Sequence, residues 1–406
     1  MNIGIMGAPV DNGNLGCMAL TYSLLRQLEI ASDEIGIAFQ YYLFDGTNKQ
    51  EKVEELAEIL NIDADRIHCA RPGFWVPNQP VKFAKSMVQN VKLLLGIVHC
   101  DCVIDITAGD SFTDIYGQSI FDQRTNAKLL LKKFGKPLML APQTYGPFLS
   151  KENATVAAAA INYADVVMSR DERSTEEVRR LTGKEAVLAN DLAFQLPFER
   201  PKLACKTDKI KVGINVSGLL SSRKTERTET SFKLKADYDR FIKDLCEFFE
   251  TNLQYEVYLI SHVADDYEIH SDIKKHYPRM NLVDKFSNPI EAKSFISGMD
   301  IFIGARMHGT IGAFSSEIAC IPIAYSRKFA GLFETIGYHR TVDLQNLDTQ
   351  EATKTTIEYV KNYRLLTDEV KNCMNKVSER NKNFNVVLVK WLQSVNKQKN
   401  GRKNES

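Results

Sequence analysis

Residues 300–337 constrain the fold more than any other part of the chain. Residues 301–305 form an apolar run that is too short for a helix and is typical of a strand buried on both faces. Helical spacing with small side chains follows over 310–318, and a second apolar run covers 320–325. A second helical pattern then runs until Gly337 ends it. The stretch therefore predicts two consecutive strand–helix units.

Polar and cationic residues stand where these two strands end. Arg306 and His308 follow the first strand, and Ser326, Arg327 and Lys328 follow the second. Strands joined by a crossover helix are parallel, and open α/β sheets bind ligands beyond the carboxyl ends of their strands. Neighbouring strands lie about 5 Å apart, and the helix N-termini at this edge favour anions. We expect a site for a small anionic ligand here, with Arg327 directed into solvent.

Strand and helix patterns alternate through the rest of the chain, which indicates an α/β protein. Its 406 residues suit two cores better than one. We predict two Rossmann-like, doubly wound domains, at residues 1–196 and 208–345. The hydrophobic pattern lapses over 195–207, where we expect the linker, and helices over 346–396 precede a disordered tail at 397–406.

Several motifs resemble those of the polysaccharide pyruvyl transferase family. The resemblance spans roughly residues 1–345, and its motifs occur in the family's order: Asn14-Leu15-Gly16, Gln143-Thr144-Tyr145-Gly146-Pro147, Ser169-Arg170-Asp171-Glu172-Arg173-Ser174, Asp191-Leu192-Ala193-Phe194, and Arg306-Met307-His308-Gly309 followed by Lys328. Members resemble glycosyltransferases of the GT-B type, with two domains facing a cleft. The resemblance implies transfer of the three-carbon unit of phosphoenolpyruvate onto two sugar hydroxyls, as a ketal, in cell-surface polysaccharide synthesis.

The resemblance also implies a donor site on the C-terminal domain. Phosphoenolpyruvate carries a carboxylate and a phosphate, and arginine holds either group in a planar fork. The expected donor-binding residues are Arg170, Arg306, Ser326 and Lys328. His308 is the candidate general acid, which protonates the methylene carbon. The alternatives are a helix-start histidine bonded to a backbone carbonyl and, for Arg170, an arginine paired with a carboxylate.

The expected acceptor contacts lie at strand ends of the N-terminal domain. They are Asn14, Gly16, Asp110, Gln143 and Tyr145. Gln143 and Tyr145 belong to a stiff turn that we expect to project both side chains into the crevice. Asp110 either reaches an acceptor hydroxyl or caps the next helix.

Two further polar positions bear on the site. Cys17 stands where the family often has an aspartate, which leaves the role of that carboxylate unfilled here. His262 follows a strand of the C-terminal domain and is expected to be a secondary contact.

Composition excludes several other classes of protein. The net charge of +1 argues against a general nucleic-acid binder, which carries a basic excess. Eight cysteines are scattered through mostly apolar surroundings, which suggests reduced thiols, and the Cys100–Cys102 spacing does not match a zinc motif. We therefore expect neither a metal nor a cofactor.

The same patterns bear on location. The first residues enter a strand without the features of a secretory signal, and no window offers eighteen apolar residues. We expect a cytoplasmic protein. Because family practice favours a lipid-linked glycan precursor as acceptor, peripheral association with the inner face of the membrane stays open.

Two other functions stay open at this point. A glycosyltransferase with a nucleotide-sugar donor shares the fold and the cationic cleft, and Glu334 is a candidate for its ribose contact. A non-catalytic binding or scaffold subunit in envelope assembly is the second alternative. Loss of the cationic residues would indicate such a subunit, and their presence speaks against it.

Overall fold

A computed structural model describes most of the chain. It covers residues 1–44, 47, 49–69, 91–201, 208–222 and 232–404, without the side chains of 92, 327, 328 and 402–404. The chain forms two compact units. The first comprises Met1–Asn12, Leu20–Leu192 and Glu379–Ser406, and the second comprises Gly13–Ala19 and Ala193–Ser378.

The first unit is built on a parallel sheet. Its strands in the described residues are β1 (Asn2–Met6), β2 (Gln40–Leu43), β3 (Ile67–Cys69), β4 (Cys102–Asp105), β5 (Leu138–Gln143), β6 (Val166–Ser169) and β7 (Val187–Leu188), in the spatial order β3-β2-β1-β4-β5-β6-β7. The helices are α1 (Leu15–Ile35), α2 (Gln50–Leu60), α3 (Val91–His99), α4 (Gln118–Lys133), α5 (Lys151–Tyr163) and α6 (Glu172–Thr182). Every residue of β4 and β5 is buried, as expected for strands covered on both faces.

The second unit repeats this plan. Its strands are β8 (Ile210–Asn215), β9 (Tyr255–Leu259), β10 (Asn281–Leu282), β11 (Ile301–Gly304), β12 (Ala319–Ala324) and β13 (Val342–Asp343), in the order β10-β9-β8-β11-β12-β13. The helices are α7 (Tyr238–Thr251), α8 (Asp266–His276), α9 (Pro289–Ile296), α10 (Met307–Ser315), α11 (Arg327–Thr335), α12 (Thr349–Lys361) and α13 (Tyr363–Asn404). Strands β11 and β12 pair in parallel, which confirms the two strand–helix units predicted from residues 300–337.

The chain departs from the predicted boundaries at three places. Gly13–Ala19 groups with the second unit, and the described part of the expected linker bonds to that unit, since Lys293 donates to the Leu196 carbonyl at 2.8 Å. Helix α13 runs to Asn404, where we expected a disordered tail. Its end is fastened within the first unit because Lys399 bonds to Asp101 at 2.7 Å. None of the helices in the described residues has the length and apolar character needed to cross a bilayer.

A buried ion pair stabilises the first sheet. The Lys128 side chain on α4 is fully buried, and its Nζ lies 3.0 Å from Asp105 Oδ2 at the end of β4. The same nitrogen donates to Thr107 Oγ1 at 2.9 Å and lies 4.5 Å from the centroid of the Phe112 ring. Lys128 therefore cross-links the end of β4 to the turn that follows it.

The turn after β4 has a strained backbone. Thr107 and Ala108 have φ values of 39° and 49°, in the left-handed region that residues with a Cβ rarely adopt. Gly109 continues the turn with φ of 86°. The bonds from Lys128 help to offset the cost of this conformation, which leads directly to Asp110.

We predict that Lys128→Ala destabilises the first unit by about 3–5 kcal/mol, because it leaves the buried Asp105 carboxylate without its cation. Lys133→Ala, at the exposed end of the same helix, is the control and should change the stability by no more than about 0.5 kcal/mol. Urea unfolding followed by tryptophan fluorescence measures both. Equal stability of the two variants would contradict a stabilising role for the pair.

Candidate functional site

The second sheet has a topological switch point between β8 and β11. The chain proceeds from β8 through β9 to β10 on one side, then crosses to β11 and continues to β12 on the other. In open parallel sheets, ligands bind beyond the carboxyl ends of the strands at such a point. Arg306 follows β11 at this edge, His262 lies beyond the end of β9, and Ser326 follows β12.

Arg306 is held in place by a buried carboxylate. Its Nε and Nη2 donate to Asp266 Oδ2 and Oδ1 at 3.0 and 2.7 Å, which forms a bidentate pair. Asp266 is fully buried, and its Oδ1 also accepts from the Gly218 amide at 2.8 Å. The Arg306 side chain remains 18% exposed. Its third guanidinium nitrogen, Nη1, bonds to none of the described residues, so it is available to an anion.

The Arg306 side chain stays positively charged in this environment. Burial alone favours the neutral form, but the hydrogen bonds and the charge of Asp266 outweigh it and raise the pKa of Arg306. Arg306 is also the residue at which α10 begins, and the helix dipole adds positive potential there. The arrangement is suited to a carboxylate or a phosphate.

His308 lies in the first turn of α10 and packs against Gly16. A Cβ placed on Gly16 would lie 2.4 Å from His308 Nδ1, 2.7 Å from Cγ and 2.8 Å from Cβ. Only glycine leaves room for the imidazole at this position. Asn14 fixes the glycine, since its Oδ1 accepts from the Gly16 amide at 3.0 Å at the start of α1.

Backbone hydrogen bonds hold this glycine segment in the second unit. The Leu15 amide donates to the His262 carbonyl at 3.2 Å, and the Ala264 amide donates to the Gly13 carbonyl at 2.9 Å. Asn14 and Gly16, predicted as acceptor contacts, are thus brought together with His308. The predicted donor residue Ser326 is half-buried at the adjacent strand end, whereas the side chain of Lys328 lies outside the described part of the chain.

Gln143 and Tyr145 differ from the expected arrangement. Gln143 is fully buried at the end of β5, and its Nε2 donates to the Asp105 carbonyl at 3.1 Å. Tyr145 is 3% exposed, and its hydroxyl donates to the Met168 carbonyl at 3.0 Å. Both side chains therefore stabilise the interior of the first unit, and the expectation that they project into a crevice is wrong. The strand end is covered on both sides, so these donor groups find partners within the protein, whereas Gln143 Oε1 bonds to none of the described residues.

Arg170 is also interior. It is 2% exposed, and it donates from Nη1 to Asp191 Oδ2 at 2.6 Å and from Nε to Thr144 Oγ1 at 2.8 Å. Burial disfavours its charge, but Asp191 and Asp110 overcome this effect and raise the pKa of Arg170. The expected position over a cleft, as a donor anchor, is therefore corrected to a buried pairing with a carboxylate.

Asp110 is the predicted acceptor residue of the first unit that stays accessible. It is half-buried, and its Oδ2 accepts from the Tyr116 hydroxyl at 2.9 Å. Tyr116 is 47% exposed. The next helix, α4, begins only after Gly117, so the alternative in which Asp110 caps it is wrong.

The sequence analysis missed two carboxylates that organise these side chains. Asp191 pairs with Arg170, and Asp266 pairs with Arg306. Asp191 opened one of the motifs noted above, and Asp266 lies four residues after His262. The sequence shows both aspartates, but it does not show which arginine each of them pairs with.

Comparisons with known proteins bear on this site and on the fold. A family model described as polysaccharide pyruvyl transferase matches residues 14–327. A comparison with curated proteins finds no match.

Solved structures show a common fold. The UDP-GlcNAc 2-epimerase of Neisseria meningitidis, bound to UDP-GlcNAc, has a TM-score of 0.59 at 10% identity over 97% of this chain and 100% of that one. Anabaena HepE, in complex with UDP and glucose, has a TM-score of 0.57 at 12% identity over 97% and 99%. S. aureus MnaA, in a structure with UDP, has a TM-score of 0.57 at 10% identity over 90% and 89%. These are GT-B proteins, and the likeness confirms the predicted GT-B-like fold of two doubly wound units.

We predict that Gly16→Ala destabilises the second unit by about 1–3 kcal/mol, because the new methyl group overlaps the His308 ring and its Cβ. Gly312→Ala in α10 is the matched control, since its Cβ would lie 3.7 Å from the nearest side-chain atom, Lys293 Cγ. That variant should be as stable as the parent or gain up to about 1 kcal/mol.

A double-mutant cycle, measured by thermal denaturation, tests the contact itself. In a His308→Ala background the cost of Gly16→Ala should fall, because the overlapping ring is gone, while the overlap with the remaining Cβ at 2.8 Å keeps part of it. An equal cost in both backgrounds would show that Gly16 is required for another reason.

Proposed function

This chain belongs to the polysaccharide pyruvyl transferase family, and on that premise we propose that it transfers the enolpyruvyl unit of phosphoenolpyruvate onto two hydroxyls of a sugar to form a pyruvate ketal. The observation that carries the proposal is the Arg306 fork, which a fully buried Asp266 holds at the carboxyl edge of the sheet. His308 follows two positions later, in the first turn of the same helix.

Phosphoenolpyruvate fits this edge through its two anionic groups. The Asp266 pair fixes the guanidinium before the ligand arrives, so little conformational entropy is lost on binding. We propose that Nη1 of Arg306 binds the carboxylate or the phosphate, and that Ser326 and Lys328 complete the donor site from the neighbouring strand end. Because Arg170 is buried against Asp191, we assign it to the support of the first unit's strand ends.

The proposed reaction requires one acid and two nucleophiles. His308 donates a proton to the methylene carbon of phosphoenolpyruvate, and the oxygen of one sugar hydroxyl bonds to the adjacent carbon and loses its proton. Phosphate then leaves with the electron pair of its carbon–oxygen bond. The second hydroxyl bonds to the same carbon and closes the ketal. Of the two protons that the hydroxyls lose, one returns to His308 and the other is taken up by the departed phosphate.

The proposed acceptor is a sugar on a lipid-linked glycan precursor. Asp110 is an accessible carboxylate that can orient a hydroxyl, and the adjacent Tyr116 offers an exposed aromatic ring. Such an acceptor would place the protein in the cytoplasm, at the inner face of the membrane.

A nucleotide-sugar glycosyltransferase is the second candidate. It is suggested by solved structures of the same fold that hold UDP-GlcNAc or UDP and glucose. Glu334, the candidate for its ribose contact, is exposed near the end of α11. Uridine diphosphate therefore serves as the competing ligand in the following test.

We predict that phosphoenolpyruvate raises the melting temperature of the parent, since a ligand at a hundred times its dissociation constant adds about 2.7 kcal/mol. Arg306→Lys should lose most of this rise, because lysine keeps the charge but lacks the planar fork. Differential scanning fluorimetry with phosphoenolpyruvate and uridine diphosphate in parallel measures the effect.

Arg340→Lys is the control for that experiment. Arg340 forms a similar two-pronged pair with Glu369 in the same unit, outside the proposed site. Its variant should keep the full response to phosphoenolpyruvate. A response to uridine diphosphate alone would favour the glycosyltransferase, and an unchanged response in Arg306→Lys would exclude Arg306 as the anchor.

We predict that His308→Gln lowers the rate of phosphate release by about a hundredfold to ten-thousandfold, because the proton donor is lost. The thermal response to phosphoenolpyruvate should persist, because the anion contacts remain. His276→Gln, at the exposed end of α8, is the control and should react at the parental rate. Near-parental turnover in His308→Gln would rule out this histidine as the acid.

A further inference from the structure

His262 is a buried histidine whose ring nitrogens are unbonded within the described part of the chain. The residue is 5% exposed, and neither Nδ1 nor Nε2 bonds to any of the described residues. Each buried polar group without a partner carries a desolvation cost, so native proteins rarely keep one unless a ligand or an ordered water uses it. The His262 ring is therefore a candidate ligand contact.

Its surroundings place it at the proposed donor site. His262 follows the end of β9, and its Cγ lies 3.7 Å from the position that a Cβ on Gly309 would occupy. Burial first, and then the charges of His308 and Arg306, lower the pKa of His262 to about 3. The ring is therefore neutral at pH 7, with one N–H donor and one acceptor nitrogen.

His270 shows what a structural histidine looks like in the same unit. It is fully buried, its Nε2 accepts from the Val216 amide at 2.9 Å, and its Nδ1 bonds to Ser261 Oγ at 2.7 Å. Both of its ring nitrogens are used within the protein. The contrast with His262, at nearly equal burial, separates a residue that holds the fold together from one with unused hydrogen-bonding capacity.

We propose that His262 binds the donor directly, as an uncharged hydrogen-bond donor to an anionic oxygen held next to Arg306. This inference rests on the proposed function and adds a residue to its donor site. The oxygen belongs to either the phosphate or the carboxylate of phosphoenolpyruvate. Because the imidazole is neutral, it adds a directional bond without further charge, and its second nitrogen is free to accept from a hydroxyl.

The test compares His262→Leu with His270→Leu by thermal denaturation, with and without phosphoenolpyruvate. Leucine is close to histidine in volume and has no polar atoms. Without ligand, His262→Leu should melt at or above the parental temperature, whereas His270→Leu should melt lower because two hydrogen bonds are lost. The dissociation constant of His262→Leu for phosphoenolpyruvate should rise about tenfold or more.

Inorganic phosphate and pyruvate distinguish the two sources of the oxygen. If His262→Leu also loses a parental response to phosphate, the N–H binds the phosphate group. If His262→Leu keeps the response to phosphate but loses the response to phosphoenolpyruvate or to pyruvate, the N–H binds the carboxylate. Either pattern supports the proposal.

A structural role for His262 would give the opposite result. His262→Leu would then melt below the parent and keep the parental affinity for phosphoenolpyruvate, which overturns the inference. If the leucine variant does not fold, titration of His262→Asn decides, since unchanged affinity overturns the inference and weakened affinity supports it. A parent that responds to neither phosphoenolpyruvate nor phosphate would instead refute the proposed function, and this inference with it.

Discussion

The pairing of Arg306 with Asp266 is the interaction on which the second unit's site depends. Asp266 is fully buried and accepts from Arg306 twice and from the Gly218 amide once. One carboxylate thus connects the residue after β11, the start of α8 and the turn after β8. Removing either partner would leave the other charge buried and unpaired. This loss would destabilise the protein far more than the intact pair stabilises it. The strand ends at the switch point are therefore fixed before any ligand binds.

The first unit also has buried ion pairs at the carboxyl edge of its sheet. Lys128 pairs with Asp105 at the end of β4, and Arg170 pairs with Asp191 close after β6 and β7, all with side chains no more than 3% exposed. Compared with apolar side chains of the same volume, buried pairs of this kind add little stability, but loss of one partner is costly, so each pair fixes the loops that it joins. In this chain they surround a strained turn that leads to Asp110. The buried charges at the strand ends thus position the loops, whereas Asp110 and Arg306 remain partly accessible.

Much of the fold could be predicted from local sequence patterns. The features that could not be predicted depend on contacts between residues that are far apart in the sequence. The apolar runs at 301–305 and 320–325 correctly predicted strands β11 and β12. Asp266, however, is 40 residues away from Arg306, and no local pattern relates the two. The orientations of the Gln143 and Tyr145 side chains were predicted wrongly. The sequence of a strand end that is covered on both faces does not indicate which polar groups bond inside the protein. The tail of α13 is polar throughout, and its order depends on residues such as Asp101 that lie far away in the sequence.

The most direct measurement is a crystal structure of the protein grown with phosphoenolpyruvate. The account predicts an anionic oxygen of the ligand within hydrogen-bond distance of Arg306 Nη1, with the Asp266 pair intact and the methylene carbon facing His308. A ligand bound elsewhere, with Nη1 of Arg306 still solvated, would contradict the assignment of this edge as the donor site.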